Sequence, residues 1–218
     1  MYRAERFERF PWLQHGFGTR LSAGWPDTAG LATVKQIHSD QVLVASQPGQ
    51  LGVADAIISQ RPGVTVAIRT ADCLPILIVD PKTRSVAAVH AGWRGVVADI
   101  ASKTVEAMRL KFGCRPQDLE IAIGPGIGAC CFEVGPEVAA RFRAFFPERN
   151  DLDGRAKVDL IETVVRQLGR NGVTKGQIDT SDLCSCCKPE LFESYRRDRE
   201  RSGRMLAAAG IREGALST

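Results

Sequence analysis

The first 90 residues contain short apolar runs separated by polar turns, a pattern typical of β-strands. The runs lie at 31–37, 41–45, 53–59, 64–69, 75–80 and 85–90. The last three are almost continuously apolar, which predicts strands buried on both faces of a sheet. The tetrapeptide PKTR joins the last two, so we expect a hairpin there. The polar triplet at 38–40 predicts a tight turn.

Helical periodicity appears only after this strand-rich part. Apolar side chains three and four residues apart predict an amphipathic helix over 96–112, with Gly113 at its C-cap. Two more helices are predicted at 136–146 and 158–168. The segments 119–128 and 179–187 are each predicted as a strand followed by a loop, and SYRRD and GRMLAAAGI as closing strands, at an edge or returning into a sheet. This order favours an α+β fold over a doubly wound one.

Composition and charge narrow the class of protein. The chain has 218 residues, of which 44% are apolar and 25% charged, with a net charge of +4. These values are ordinary for a soluble globular protein. No apolar run approaches the roughly 20 residues of a membrane span, and the N-terminus lacks a secretory h-region, so we expect a cytoplasmic protein without a membrane partner. The basic stretch 196–204 is interleaved with acids, which predicts a salt-bridged surface and no nucleic-acid partner. Oligomeric state is not predicted.

Seven cysteines are present, an odd number that includes adjacent pairs, which indicates reduced thiols and no disulfide framework. Cys130, Cys131, Cys184, Cys186 and Cys187 would form a second soft-metal site only if distant segments converged. We therefore expect buried thiols that pack as small apolar side chains. The Gly-rich segment 123–128 lacks a Walker lysine, which favours a turn near a pocket rim over a phosphate loop.

The candidate chemistry centres on Cys73 and His90. Cys73 lies just before the predicted strand 75–80, and His90 ends the predicted strand 85–90. If these strands form a hairpin, both residues lie near the same edge of the sheet. His38, at the predicted turn, is a candidate third member, whereas a partly buried role is the default for an isolated histidine such as His15.

Two chemistries follow from a Cys–His pair, and spacing alone leaves both open. Zinc takes thiolate and imidazole ligands, and three protein ligands leave a fourth position for water or substrate, as in catalytic sites. Such a metal lowers the pKa of bound water to roughly 7. Asp72 or Gln36 are candidates for orienting the ligands. Alternatively, Cys73 is a thiolate nucleophile and His90 its general base.

Several motifs in sequence carry a family resemblance: KQIHSDQV, TADCLPILIVD, AVHAGWRG, IGPGIGACCFEVG and ELFESYRRDRERSGRM. With these motifs, most of residues 15–206 resembles the YfiH-like family, labelled multicopper polyphenol oxidoreductase or laccase type. The resemblance implies a single-domain α/β/β/α sandwich over 1–218, with two mixed sheets and outer helices, similar to toxin deamidases with a Cys–His pair. It also implies that His38, Cys73 and His90 are the metal ligands and catalytic residues.

The resemblance further implies enzymes that act on small molecules. The implied activities are phosphorolysis of adenosine, inosine, guanosine and methylthioadenosine, with phosphate as co-substrate, and deamination of adenosine, with zinc as the metal. The alternatives are a Cys–His amidase or hydrolase acting on a peptidoglycan precursor, and phenol oxidation with copper in the same site. A four-copper centre needs many histidines. The chain has three, so copper would have to occupy the zinc site.

One segment departs from the family pattern. Only LSAGWPDTAGLATVK separates Arg20 from Gln36, which shortens the loop expected to line one wall of the pocket. Arg20 matches the family's TR motif and is a candidate for binding phosphate or a substrate oxygen, because its planar fork suits oxyanions. Gln36, Asp72 and Arg94 are further candidates for substrate contact, and Trp93 is expected to pack beside the site.

Overall fold

The computed structural model describes residues 1–214, so the last four residues of the predicted domain 1–218 lie outside the described residues. In chain order the strands are β1 (Leu13–Phe17), β2 (Leu31–Lys35), β3 (Val42–Val44), β4 (Gly49–Val53), β5 (Ala56–Ser59), β6 (Thr65–Thr70), β7 (Leu74–Asp80), β8 (Ser85–Ala91), β9 (Glu120–Ile123), β10 (Glu133–Val134), β11 (Ala156–Lys157), β12 (Ile178–Thr180) and β13 (Met205–Ile211). The α-helices are α1 (Trp93–Val97), α2 (Ile100–Phe112), α3 (Pro136–Ala139), α4 (Leu160–Arg170) and α5 (Tyr195–Asp198). Short 3-10 turns occupy Glu5–Arg9, Pro116–Asp118, Ala140–Phe142, Lys175–Gln177 and Arg199–Arg201.

Two large mixed sheets form the frame. The five-stranded sheet has the order β1-β13-β6-β2-β4, and the six-stranded sheet has the order β12-β9-β7-β8-β5-β3. In the second sheet β7 and β8 form the predicted antiparallel hairpin, while β5 pairs with β3 in parallel. A small ladder of β10 and β11 lies beside them. The strands predicted from the apolar runs are therefore confirmed, whereas β1 and β4 were not predicted.

The central hairpin is buried on both faces. Alternate side chains of β7, such as Ile76 and Ile78, join a core beneath the helices, whereas Leu77 and Val79 join a second core between the two sheets. A strand that is covered on both faces needs apolar residues at every position, which explains its continuous apolar run. Both strands of the hairpin are fully buried. The predicted combination of two packed mixed sheets with outer helices is confirmed.

The helix predicted over 96–112 is divided in two. Helix α1 begins directly after the edge that carries His90, and α2 begins at Ile100 after Asp99 adopts a left-handed backbone conformation with φ 61°. The side chain of Gln167 donates to the carbonyl of Val96, which lies at the break. Gly113 ends α2 with φ 73°, as predicted. The break lets α1 follow the site while α2 packs on the sheet.

Other boundaries also differ from the sequence-based expectation. The predicted helix 136–146 is α-helical only in α3, then tightens into a 3-10 turn. Apolar residues three apart remain on one side in both geometries, so this part of the pattern does not distinguish them. SYRRD is wrong as a strand: it forms α5, because the hydroxyl of Ser194 caps the N–H of Arg197. Strand β13 returns into the sheet interior between β1 and β6. Within the described part of the chain, no helix is long and apolar enough to cross a membrane.

Candidate metal and substrate site

The hairpin of β7 and β8 brings Cys73 and His90 together. Pro75 lies opposite His90 in the ladder, and Leu74 lies opposite Ala91. Cys73 immediately precedes this paired segment, so its side chain starts from the same sheet edge as that of His90. The expectation drawn from the two apolar runs is thus confirmed. Gly92 lies against this edge, where a Cβ atom would approach Cys73 Sγ to 3.0 Å and His38 Cδ2 to 2.8 Å.

His38 reaches the same edge from the turn between β2 and β3. Its backbone is left-handed, with φ 62°, a conformation that non-glycine residues seldom adopt. The carboxylate of Asp55 stabilises the turn, since it accepts hydrogen bonds from the backbone N–H groups of Ile37, His38 and Ser39 at 3.2, 3.0 and 2.6 Å. The hydroxyl of Ser39 adds a fourth hydrogen bond at 2.7 Å.

The three predicted residues form one compact donor set. The ligand atoms of His38, Cys73 and His90 all lie within 4.8 Å of one another. Cys73 Sγ is 3.9 Å from His38 Nε2, and the two imidazole rings meet edge to face with centroids 4.9 Å apart. His90 is buried, Cys73 is half-buried and His38 is exposed, so the set faces outward at one side.

Sequence reasoning missed Asp55, which orients the set. This carboxylate is fully buried and lies 2.8 Å from Nδ1 of His90. A hydrogen bond from Nδ1–H to Asp55 leaves Nε2 of His90 available on the side of Cys73, the arrangement typical of metal-binding histidines. The signal was present in the sequence: an aspartate inside the apolar run 53–59 must have a buried partner.

Hydrogen bonds within the site favour the charged forms of His90, Cys73 and Asp55. Burial opposes a charged His90, but its hydrogen bonds to Asp55 and Cys73 prevail and raise its pKa to about 9. Burial likewise opposes the Cys73 thiolate, but the hydrogen bonds with His38 and His90 lower the pKa of the thiol to about 7. The pKa of Asp55 lies well below its usual range despite its burial, because His90 and Ser39 donate hydrogen bonds to the carboxylate. A thiolate is therefore accessible near neutral pH, as both metal ligation and nucleophilic attack require.

The donor set opens into a cavity of about 900 Å³, within the size range of small-molecule sites. Its lining includes the apolar side chains of Ile127, Phe132, Val138 and Leu160. It also includes the cationic side chains of Lys35, Arg69, Arg94, Arg196, Arg199 and Arg204. Asp72 is the acidic residue of this lining.

Part of the basic stretch 196–204 therefore has a different environment from the predicted one. Arg197 is paired with Asp198, as expected of a salt-bridged surface. Arg199 and Arg204 are exposed, as predicted for a surface, but together with Arg196 they also line the cavity, which was not predicted. Charge alternation along the sequence could not reveal that α5 and the following turn lie over the mouth of a pocket.

The predicted substrate contacts differ in their placement. Arg94 lines the cavity, with its guanidinium 4.6 Å from the centroid of the Trp93 ring. Gln36 also lines it, but both ends of its amide bind the backbone of Arg69 at 2.8 Å. Arg20 is not brought to this cavity: its guanidinium binds Glu193 and Asp198 in an ion-pair cluster.

Asp72 is committed to holding the cavity wall. Its carboxylate accepts hydrogen bonds from the hydroxyl of Ser185 at 2.7 Å and from the backbone N–H of Arg196 at 2.6 Å. Its carbonyl accepts the N–H of Ile127 at 2.7 Å. Asp72 thereby ties the loop that carries Cys73 to three other segments of the wall. Ile127 belongs to the Gly-rich segment, whose predicted position near the pocket rim is confirmed.

The donor set fits a zinc ion. Two imidazole nitrogens and one thiolate are ligands that zinc accepts, and three protein ligands leave one tetrahedral position open. The buried Asp55 supplies the carboxylate partner that a ligating histidine usually has. Cu²⁺ also accepts imidazole and thiolate ligands. The three histidines of the chain cannot build a four-copper centre, because His15 lies elsewhere, buried beside Phe7.

A second group of cysteines contradicts the expectation of buried thiols. Cys130, Cys131, Cys184 and Cys187 converge from two distant segments, and their sulfur atoms all lie within 4.8 Å of one another. Cys130 and Cys187 are exposed. All seven cysteines are free thiols, as the sequence indicated.

Comparison with known proteins places this geometry in a family. The profile described as "Multi-copper polyphenol oxidoreductase laccase" matches residues 19–212. The chain is 42% identical over 190 residues to a protein of Deinococcus radiodurans named purine nucleoside phosphorylase, covering 84% of this chain and 72% of that protein. It is 35% identical over 194 residues to a protein named adenosine deaminase RL5 from an unknown prokaryotic organism, covering 82% and 74%.

Two further comparisons bear on length and fold. The chain is 32% identical over 186 residues to the mouse protein named purine nucleoside phosphorylase LACC1, with 83% of this chain matched, but it spans only 43% of that protein. The crystal structure of YlmD from Geobacillus stearothermophilus superposes with a TM-score of 0.80 at 33% identity, covering 85% of this chain and 75% of that one. The chain belongs to the family described as multi-copper polyphenol oxidoreductase laccase, the YfiH-like family, whose relatives include proteins named purine nucleoside phosphorylase.

Proposed function

We propose that this protein is a zinc-dependent purine nucleoside phosphorylase that acts on adenosine, inosine, guanosine and methylthioadenosine. The observation that carries the proposal is the composition of the cavity, which joins the His38/Cys73/His90 donor set to six cationic side chains and an apolar wall. Phosphorolysis needs a site that accepts an anion and a purine nucleoside together. The names of the relatives support the same reaction.

The cationic lining supports phosphate as co-substrate. Arginine presents a planar fork of donors that matches the oxygens of phosphate. Arg69, Arg199 and Arg204 are exposed residues of this lining, so an incoming anion can reach them. Asp72 contributes one negative charge to the same lining, so the six cationic side chains remain in excess. The lining therefore carries an excess of positive charge, which complements a dianion such as phosphate.

The apolar part of the lining supports a purine base. Phe132, Ile127 and Leu160 present apolar surface, and Tyr195 and Trp93 add aromatic rings at the cavity. Flat heteroaromatic bases bind such walls by stacking and by removal of apolar surface from water.

In this mechanism His38, Cys73 and His90 would hold the zinc ion. When bound, the ion supplies Lewis-acid stabilisation of negative charge on a substrate oxygen. Asp55 holds His90 in one tautomer and fixes the turn of His38, so that the ligands do not reorganise during the reaction. The cationic side chains bind and orient phosphate beside the nucleoside, and the loops tied by Asp72 maintain the wall around both.

Adenosine deamination is the second candidate function. The donor set and the relative named adenosine deaminase RL5 favour it. Zinc deaminases use a glutamate as general acid and base, and none of the described residues that line this cavity is a glutamate. Deamination is therefore expected to be slower than phosphorolysis. A Cys73–His90 amidase acting on a peptidoglycan precursor, and copper-dependent phenol oxidation, remain alternatives for the same site.

Product analysis tests the proposal. Purified protein is incubated with inosine or adenosine, with and without phosphate. We expect free base and ribose 1-phosphate only when phosphate is present, and a smaller yield of inosine and ammonia from adenosine. Free base formed equally well without phosphate, or no reaction with any purine nucleoside, would overturn it. Inosine from adenosine as the dominant product would favour the deaminase.

A further inference from the structure

Four thiols lie together outside the nucleoside cavity. Cys130 and Cys131 come from the loop after β9, and Cys184 and Cys187 come from the loop after β12. We propose that Cys130, Cys131, Cys184 and Cys187 form a second metal site, a structural tetrathiolate centre that takes zinc. This site is separate from the donor set of His38, Cys73 and His90.

The spacing of the sulfur atoms fits one tetrahedral ion. Zn–S bonds of about 2.3 Å place the sulfurs of a tetrahedral site about 3.8 Å apart. Here Cys130 Sγ lies 3.7 Å from Cys131 Sγ and 3.7 Å from Cys187 Sγ, and Cys131 Sγ lies 3.3 Å from Cys187 Sγ. All four sulfurs are within 4.8 Å of one another. The three distances among Cys130, Cys131 and Cys187 therefore lie within about 0.5 Å of the value for a tetrahedral zinc site.

The surroundings of Cys184 suit a thiolate, and the exposure of two other members of the cluster does not suit apolar packing. The N–H of Gly128 donates to Cys184 Sγ at 3.2 Å, a contact that stabilises a negatively charged sulfur. A Cβ atom at position 128 would lie 3.2 Å from Cys130 Sγ and 3.3 Å from Cys184 Cβ, so the loop passes close to the cluster. Cys130 and Cys187 are exposed, although a cysteine that serves only as a small apolar side chain is usually buried.

Arg196 offsets part of the charge of the proposed centre, whereas the charge of Arg197 is already paired with Asp198. Four thiolates and one Zn²⁺ carry a net charge of −2, and zinc binding displaces the four thiol protons into solvent. Arg196 donates to the carbonyl of Cys131 at 2.8 Å, and Arg197 donates to the carbonyls of Ser185 and Cys186 at 3.0 and 3.1 Å. Two guanidinium groups therefore lie against the backbone of both cysteine-bearing loops.

A metal here would fasten the wall of the nucleoside cavity. Ser185, between two of the cysteines, donates to Asp72, and Arg196 links Cys131 to the same carboxylate through its backbone N–H. Asp72 is the neighbour of Cys73. A closed tetrathiolate site therefore holds the loops that position α5, Ile127 and Phe132, without offering an open coordination position of its own.

Metal content and cobalt spectroscopy test the proposal without any activity assay. Protein purified under reducing conditions should contain about two zinc ions per chain, one for each donor set. Cys187→Ser should lose about one of them, and Cys73→Ala should lose the other. Cys186→Ser is the matched control: it removes a neighbouring thiol that is outside the four, and it should keep both. Co²⁺ in Cys73→Ala should give the intense sulfur-to-cobalt charge-transfer and tetrahedral d–d bands of a tetrathiolate site.

The outcomes separate this site from the proposed function. Retention of both zinc ions by Cys187→Ser, or loss of one by Cys186→Ser instead, would overturn the ligand assignment. A Cys131–Cys187 disulfide found by mass spectrometry in protein purified under reducing conditions would overturn the metal site. If Cys187→Ser does not fold, Cys130→Ser gives the same readout. None of these results depends on whether the protein cleaves nucleosides.

Discussion

The two groups of side chains that we propose as metal ligands differ in their donor atoms, in the elements that carry them and in their access to the cavity. The His38/Cys73/His90 set is mixed, starts at the edge of a fully buried hairpin, and opens into a large cavity. The four-cysteine cluster is all-sulfur and joins two loops. Three ligands beside a cavity suit chemistry, whereas four thiolates that close the coordination shell suit stabilisation. Under the two proposals, the buried hairpin would hold the reactive donor set in place, and the four-cysteine cluster would hold the loops around the cavity.

Removing Cys73 should have the largest effect and should separate the two sites most clearly. Cys73→Ala is expected to reduce kcat/KM for inosine phosphorolysis by roughly 10³-fold or more, because several kcal/mol of Lewis-acid stabilisation is lost and each 1.36 kcal/mol is tenfold. Steady-state kinetics measure this effect. Cys114→Ser, which alters a thiol far from both sites, is the control and should retain activity. Near-normal activity in Cys73→Ala would contradict a role for the donor set.

Changing Asp55 tests whether its hydrogen bonds to His90 and to the turn of His38 support the donor set and not the four-cysteine cluster. Asp55→Asn replaces one acceptor oxygen by a donor and should weaken zinc binding at the donor set by about 10–100-fold. Competition with a chromogenic chelator measures the affinity. The four-cysteine cluster should keep its cobalt spectrum, which also reports that the variant is folded.

Asp40→Asn is the matched control for that variant, since Asp40 lies nearby but is paired with Lys103 at the surface. Asp40→Asn should leave the zinc affinity of the donor set and that of the four-cysteine cluster unchanged. Equal weakening of the two sites by Asp55→Asn would mean that Asp55 supports the fold in general and not the orientation of His90 and His38.

Replacing an arginine of the cavity tests whether the cationic lining binds phosphate. Arg69→Gln should raise the KM for phosphate by roughly tenfold or more, because a charge-assisted hydrogen bond is worth about 1.5–3 kcal/mol. The KM for inosine should change little. Arg109→Gln, on the exposed side of α2 where Arg109 pairs with Glu106, is the control. If only the KM for the nucleoside changed, Arg69 would contact the nucleoside and the prediction that it binds phosphate would be wrong.

His15 should affect the stability of the fold and not the two sites directly, so it sets the baseline for pH experiments on both. Burial, followed by the positive charge of Arg3, lowers its pKa from 6.5 to about 4. The unfolded chain therefore binds a proton that the folded chain excludes between these values, so stability is complete above pH 6.5 and falls as the pH drops towards 4. Each pH unit costs about 1.4 kcal/mol.

Urea unfolding at pH 7 and pH 5 measures this dependence. The wild-type protein should lose roughly 2 kcal/mol more than His15→Leu over this interval. Identical losses would show that His15 does not resist protonation. With this baseline, a fall in activity at acid pH can be separated from loss of the fold.

The sequence predicted that Cys73 and His90 meet because their meeting follows local rules. Two apolar runs joined by a short loop form a hairpin, and the hairpin alone brings Cys73 and His90 together. His38 reaches them by a long-range arrangement of the turn between β2 and β3, and the family resemblance was needed to include it. Asp55 escaped notice because its partners lie 16 to 35 residues away, although a carboxylate inside an apolar run of the sequence indicates such partners.

The positions of loops were harder to predict. The cysteine cluster depends on loops after β9 and β12, which pair in parallel, and no local pattern in the sequence reveals that pairing. The same limit applies to Arg196, Arg199 and Arg204, whose place at the cavity depends on where α5 packs. For Arg20 a motif match predicted substrate binding, but the structure pairs its guanidinium with the carboxylates of Glu193 and Asp198.

The most direct test follows zinc release and inosine phosphorolysis in the same sample during titration with a chelator. The account predicts that activity disappears in step with release of the zinc held by His38, Cys73 and His90, while the four-cysteine zinc stays bound until the thiols are modified. It also predicts that added zinc restores activity. A metal-free protein that remains fully active, and that only alkylation of Cys73 inactivates, would contradict this account and identify Cys73 as a nucleophile.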